Sequence, residues 1–316
     1  MGVQRRCLYE KDKSGYNETY MKIRGSVGSI VGAFLFIALA VASGFRYALV
    51  QHVPIVEKMK LVPQVISTPM STPIFTPMPT PKYPTPPVIP GEHGIKVPVL
   101  LYHYISENPN KDDKVRTGLS TPPGVFEQQL HTLLTNGFTS ITFDELAAAL
   151  SGKFILPTRP VILTFDDGYA DFYTNAYPLL QKYHTKGVVF IPTGLLGGGN
   201  YMTWSQLEEV SMSPFVAVGA HSIHHYALTK IASDVLKKEV EDSKYMLEKH
   251  VGYTINWFAY PYGAFNTVVV NMVKQAGYIG AITTLSGSWQ YQSHFFYIPR
   301  YRAGRRMGND LLRLLL

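Results

Sequence analysis

The chain has 316 residues, of which 46 % are hydrophobic and 16 % charged, with a net charge of +7. A charged share below the ~25 % of an average soluble protein excludes a disordered, solvated chain. The positive charge sits at the two ends, whereas residues 96–299 hold 14 basic against 16 acidic side chains, so a basic nucleic-acid face is excluded and no nucleic-acid partner is expected.

Residues 1–24 form a basic leader with Arg5, Arg6, Lys11, Lys13, Lys22 and Arg24. Gly25–Phe45 then runs for 21 residues without a charge, the length of a bilayer-spanning helix. The spacing predicts one transmembrane anchor over 25–47, with the leader inside the cell and the rest outside. Ala40-Val41-Ala42 resembles a signal-peptide cleavage site, which leaves a secreted product as the alternative. Residues 48–94 read as a linker. Thr-Pro recurs at Thr68, Thr72, Thr76 and Thr80, and again at Thr85. Proline fixes φ and removes donors, so this stretch is an extended spacer.

Residues 95–316 alternate apolar runs with helical patterns. Strands are predicted at Val97–Tyr104, Thr139–Thr142, Pro160–Phe165, Gly187–Pro192, Phe215–Ala220, Asn256–Tyr260, Tyr278–Thr283 and Phe296–Tyr301. Helices are predicted at Gly124–Asn136, Phe143–Ser151, Asp171–His184, Thr203–Ser211, Ala232–Val251, Asn266–Ala276 and Asp310–Leu316. Strict alternation implies an α/β fold with a mostly parallel sheet, and the irregular spacing fits a distorted or incomplete (β/α) barrel of TIM-like kind. Chemistry in such barrels sits where strands end.

Two strand ends carry unusual polarity. Pro160–Phe165 runs into Asp166-Asp167-Gly168, and two adjacent carboxylates off a buried strand require compensation. A metal supplies it; helix capping is the alternative, and is preferred for Asp171. Phe215–Ala220 runs into His221-Ser222-Ile223-His224-His225. His221 and His225 have usable ligand spacing, with His224 a competitor. Cys7 is the only cysteine, so a metal would be held by His and carboxylate.

Thr164-Phe165-Asp166-Asp167-Gly168 with His221-Ser222-x-x-His225 resembles the first two motifs of the polysaccharide deacetylases, the NodB-homology group or carbohydrate esterase family 4. Phe258-Ala259-Tyr260-Pro261-Tyr262-Gly263 is similar to their third. The resemblance spans residues 95–302 and implies a NodB-type barrel. It implies a divalent metal, zinc by default with cobalt, nickel or iron as alternatives, on Asp167, His221 and His225. It implies Asp166 as general base and the Tyr262 backbone N–H as oxyanion donor.

Two departures stand out. The late Leu-x-His motif is missing, and His103, at the end of the first strand, resembles the acid histidine of the biofilm poly-β-1,6-N-acetylglucosamine deacetylase subgroup; the alternative is a core histidine. The third motif lacks its arginine, which leaves open what orients Asp166. Trp204 and Tyr260 are candidate substrate contacts, with Trp289 and Tyr169 as further stacking candidates. The terminal arginines are candidates for attracting an anionic surface. The expected activity is metal-dependent N-deacetylation of an extracellular or cell-wall polysaccharide at the membrane. Alternatives are a silent glycan-binding module, an O-acetyl esterase of xylan type, or a two-carboxylate glycosidase. No protein partner is expected.

Overall fold

A computed structural model describes residues 87–316. The leader, the anchor expected over 25–47 and nearly all of the spacer lie outside those residues. Among the described residues no helix is long and apolar enough to cross a membrane.

In chain order the elements are β1 (Ile95–Lys96), β2 (Val99–Tyr102), α1 (Lys114–Leu119), α2 (Pro123–Thr135), β3 (Thr139–Ser140), α3 (Phe143–Leu150) and β4 (Pro160–Phe165). A π-turn (Phe172–Ala176) leads into α4 (Tyr177–Lys182), followed by β5 (Gly187–Ile191), α5 (Trp204–Ser211), β6 (Val216–Ala220) and α6 (Ser233–Val251). The remainder is β7 (Trp257–Ala259), α7 (Thr267–Gln275), β8 (Gly280–Ile282), β9 (Trp289–Gln290), β10 (Tyr301–Arg302) and α8 (Gly308–Leu315).

The main sheet runs β10-β2-β4-β5-β6-β7-β8, with β3 beside β4, and every pairing in it is parallel. It curls into a half-barrel, so the incomplete barrel expected from the alternation is present. β1 and β9 pair antiparallel just before the start of β2.

Two cores follow from the period-2 alternation of strand side chains. Leu100, Tyr102, Val161, Leu163, Phe165, Val189, Val218, Phe258 and Tyr260 pack outward under the helices with Phe126, Leu130, Leu207 and Val240. Val99, Ile162, Val188, Phe190, Trp257, Ala259 and Ile282 line the concave face. The same parity carries Thr164 and Asp166, Leu101 and His103, and Gly219 and His221 onto the concave side.

Two expected elements differ. The helix over Asp171–His184 opens as the wide π-turn before α4. The strand over Phe296–Tyr301 is a 3-10 turn through Gln292–Tyr297 followed by the two-residue β10. Pro299 has no N–H to give a ladder, and the Arg300 N–H goes instead to the Leu285 carbonyl.

Candidate active site

Asp167 leaves β4 at φ 74° and brings its carboxylate over the strand ends. Its Oδ1 lies 3.4 Å from His221 Nε2 and 3.2 Å from His225 Nε2. The three ligand-type atoms fall within 4.8 Å of one another. His221 is fixed from behind, because its Nδ1 donates to the Ala259 carbonyl at 2.6 Å, which directs Nε2 at Asp167. Asp167 Oδ1 is buried without a hydrogen-bond partner. A buried, orphaned carboxylate oxygen faced by two imidazole nitrogens is a donor set that fits a divalent cation. Burial pushes the Asp167 carboxyl up, but His225 and His221 overcome it and hold it well below the usual range. Burial likewise lowers His221, and the two aspartates outweigh that and raise it. A cation would neutralise the same concentration of negative charge.

His224, the competing ligand, turns away. Its Nδ1 meets Glu239 Oε1 at 2.6 Å, and its ring stacks on Tyr226 at 5.3 Å.

Asp166 is held from a place the sequence reading did not anticipate. Arg300, counted there among surface-seeking terminal arginines, is fully buried on the concave face. Its Nη1 and Nη2 donate to the two Asp166 oxygens at 2.8 Å each, Nη1 also reaches Thr164 Oγ1 at 3.1 Å, and Nε donates to the Thr283 carbonyl at 2.9 Å. This bidentate pair answers what orients Asp166 in a third motif without arginine. Burial pushes the Asp166 carboxyl up; Arg300 and then His221 outweigh it, so the carboxyl is lowered and ionised. Of the other tail arginines, Arg305 pairs with Glu107, Arg313 with Asp310, and Arg306 donates to the Arg302 carbonyl.

His103 follows β2, whose register sets Tyr102 beside Phe165, with the Asp166 N–H donating to the Tyr102 carbonyl at 3.0 Å. One residue on, His103 lies within the field of both aspartates: burial lowers its pKa, and Asp167 and Asp166 pull it back up in part. Asp171, expected to cap a helix, makes no cap bond and accepts the Ser106 hydroxyl at 2.6 Å.

Residues 155–281 match the family model described as Polysaccharide deacetylase. The chain carries a polysaccharide deacetylase domain. YxkH of Bacillus subtilis (strain 168) is 27 % identical over 219 residues, 69 % of this chain and 75 % of its own length. The poly-β-1,6-N-acetyl-D-glucosamine N-deacetylase of Staphylococcus aureus is 28 % identical over 189 residues, 55 % of this chain and 64 % of that enzyme. The match therefore spans less than two thirds of the staphylococcal enzyme. The solved structure of Streptococcus pyogenes deacetylase PplD in complex with acetate aligns with a TM-score of 0.66 and 28 % identity, covering 71 % of this chain and 100 % of that one. The matched segment of the deacetylase domain contains Asp166, Asp167, His221, His225 and Tyr262. His103 and Arg300 lie outside it, beside β2 and β10, the strands on the other side of β4.

The aromatic residues of the deacetylase domain divide by strand parity. Tyr262 sits at φ 60° in the turn after β7, its ring 4.6 Å from that of His225. Tyr260, a candidate substrate contact, is fully buried on the outward side, where it packs against Phe258 and Phe265 and donates to the Phe296 carbonyl. That assignment is corrected: its alternation with Ala259 points it under the helices. Trp204 opens α5 and stacks on His250 at 4.0 Å, against the outer core. Trp289 lies in β9, at the opposite end of β2 from the site. Tyr169 is sandwiched between Tyr104 at 3.7 Å and Tyr201 at 5.1 Å, with Arg116 over the other face of Tyr104. Its faces are used within the protein, so it is no stacking platform.

Proposed function

We propose that the chain is a metal-dependent N-deacetylase that releases acetate from N-acetylglucosamine units of an extracellular or cell-wall polysaccharide. The observation that carries this reading is the convergence of Asp167, His221 and His225 beside a second, ionised carboxylate, Asp166, clamped by Arg300. A divalent cation on the trio, zinc by preference, would supply Lewis acidity to the acetyl carbonyl and acidify water. Asp166, fixed in two hydrogen bonds and not itself one of the trio, takes the water proton as general base. The Tyr262 N–H serves as a donor to the developing oxyanion. His103, on the far side of Asp166 in the strand order, gives a proton to the departing amine. Substrate contacts pass from Trp204 and Tyr260 to Tyr201 and Tyr262. Both of these feel the Asp167 charge, and Tyr262 is 40 % exposed.

The same proposal assigns residues 95–316 as the catalytic domain, held outside the cell by the spacer of 48–94 and the anchor of 25–47. The test is acetate release by the full chain from β-1,6-linked poly-N-acetylglucosamine, chitin oligomers, peptidoglycan and acetylated xylan, with added metals. Release from an N-acetylated glycan is the expected result. Release from xylan alone would make it an O-acetyl esterase, and glycan binding with no acetate under any metal would make it a binding module. Turnover that survives complete metal removal would refute the mechanism.

A further inference from the structure

The segment His221–His225 carries two of the three proposed ligands in a conformation it does not hold by itself. Ser222 and His225 sit at φ 64° and 59°, a region that costs a non-glycine residue about 1–3 kcal/mol. The backbone groups of this segment have partners on three sides. The His221 N–H donates to the Ile191 carbonyl, and the Ser222 and Ile223 carbonyls accept the N–H groups of Thr193 and Gly194. The His225 N–H donates to Ser222 Oγ at 3.0 Å. Two of the three N–H groups between the ligands, those of Ile223 and His224, both donate to one oxygen of Glu239 at 2.9 Å, while its other oxygen meets His224 Nδ1 at 2.6 Å. Glu239 belongs to α6, a different element, and is only 2 % exposed. A buried carboxylate is retained where its oxygens are taken up by donors. These three donors all belong to the ligand segment.

We propose that Glu239 is a positioning residue for the metal site: it reaches from α6 to hold the Ile223–His224 peptides so that His221 and His225 face Asp167 together. This rests on the reading that Asp167, His221 and His225 hold a metal. Glu239 acts through the backbone between the two histidines. What matters is reach and acceptor geometry. Charge is secondary, because an amide oxygen of the same reach also accepts from both peptide N–H groups, though more weakly than a carboxylate oxygen.

The test compares Glu239→Asp with Glu239→Gln in the full-length protein. The readouts are cobalt(II) affinity by titration, the visible d–d spectrum of the cobalt form, and folding by circular dichroism. Asp keeps the charge but is one methylene too short; Gln keeps the reach and one acceptor oxygen. The expected result is that Asp weakens cobalt binding by roughly 10- to 100-fold, the usual cost of losing an outer support of a metal ligand, and alters the d–d bands. Gln loses distinctly less than Asp. Tighter binding by Asp than by Gln would assign a charge role and overturn the proposal, and equal losses in the two would overturn it by showing that reach does not decide. So would a Glu239→Asp variant that binds cobalt like wild type. A wild-type chain that binds no cobalt would overturn the metal reading itself, a different failure from the other two.

Discussion

Replacing Arg300 with Met tests the reading of the buried pair directly. Met fills much of the volume but removes both 2.8 Å bonds to Asp166, leaving a carboxylate that is 4 % exposed with no cation against it. Breaking a buried pair by removing one partner costs about 3–5 kcal/mol. For a folded body of this size that corresponds to a fall in Tm of about 6–20 °C at neutral pH. The pH dependence has a definite sign. In the native protein the Asp166 pKa is depressed, so its pair contributes stability above the unfolded aspartate pKa of ~3.9 and loses it as pH falls through the folded value. In the Met variant burial wins and the folded pKa is raised. Its deficit is then greatest above that raised value and shrinks as pH falls towards ~4, because a protonated Asp166 no longer needs a cation. The assay is thermal or denaturant unfolding between neutral pH and about pH 4, run with Asp166 intact and in an Asp166→Asn background. In the Asp166→Asn background the Arg300→Met loss should be small or reversed. A loss that is the same at every pH, or the same in both backgrounds, would show that Arg300 acts through packing and would refute the orientation argument.

Other expectations follow from the same geometry. Asp166→Asn should abolish acetate release with metal binding retained, whereas His221→Ala should lose both, as acetate and metal-content assays will show. His103→Asn should lower kcat by roughly 10²–10⁴ with little change in KM, and an alkaline limb that depends on it should lie below the ordinary imidazole pKa, since burial lowers it. Tyr260→Ala should cost about 3–5 kcal/mol in unfolding experiments, as for a buried aromatic, while Tyr201→Ala should raise KM and leave the fold intact. Gly263→Ala should impair turnover more than stability, because Gly263 sits at φ 66° and a Cβ would fall 2.1 Å from Thr284 Oγ1, displacing the turn that carries Tyr262.

The alternation of apolar and polar runs was enough to read a parallel sheet and to place Asp166, Asp167 and the histidines at strand ends. The parity within a strand was equally readable and decides more. Phe258-Ala259-Tyr260 alternates under a helix layer, so Tyr260 had to point away from the site opposite Ala259. Arg300 was out of reach of the sequence, since its position in a basic tail gives no sign of a partner 134 residues away. Only the pairing of β10 with β2, and of β2 with β4, brings it to Asp166. Glu239 was hidden for the opposite reason. It sits among Lys237, Lys238 and Glu241 on a helix whose charges otherwise read as a solvated face, and one buried acid in such a run has no local signature. The short helix Lys114–Leu119 also went unread, because none of its residues is buried and it has no apolar period to detect.

The local backbone explains why two adjacent aspartates can serve one site. Successive residues of an extended strand point to opposite faces, so Asp166 and Asp167 in regular geometry would put one carboxylate on the concave face and the other under the helices. Asp166 keeps the strand parity and meets Arg300 inside. Asp167 escapes it by taking φ 74°, which swings its carboxylate back over the strand ends to His221 and His225. Gly168 continues the turn at φ 64°, where a Cβ would come within 2.9 Å of Ile191 Cδ1. Asp167, Ser222, His225 and Tyr262 are four of the five non-glycine residues with positive φ among those described. All four stand at strand ends that converge on the trio. A conformation costing about 1–3 kcal/mol at each position persists only where the surroundings over-determine it. Glu239 does this from α6 for the segment of Ser222 and His225, and Arg300, just before β10, fixes Asp166 next to Asp167. A β-branched residue at 167 would therefore fail twice, by losing the ligand oxygen and by refusing the turn. Glycine at 167 would restore the turn without the oxygen, so unfolding and metal titration on the two variants separate the backbone contribution from that of the carboxylate.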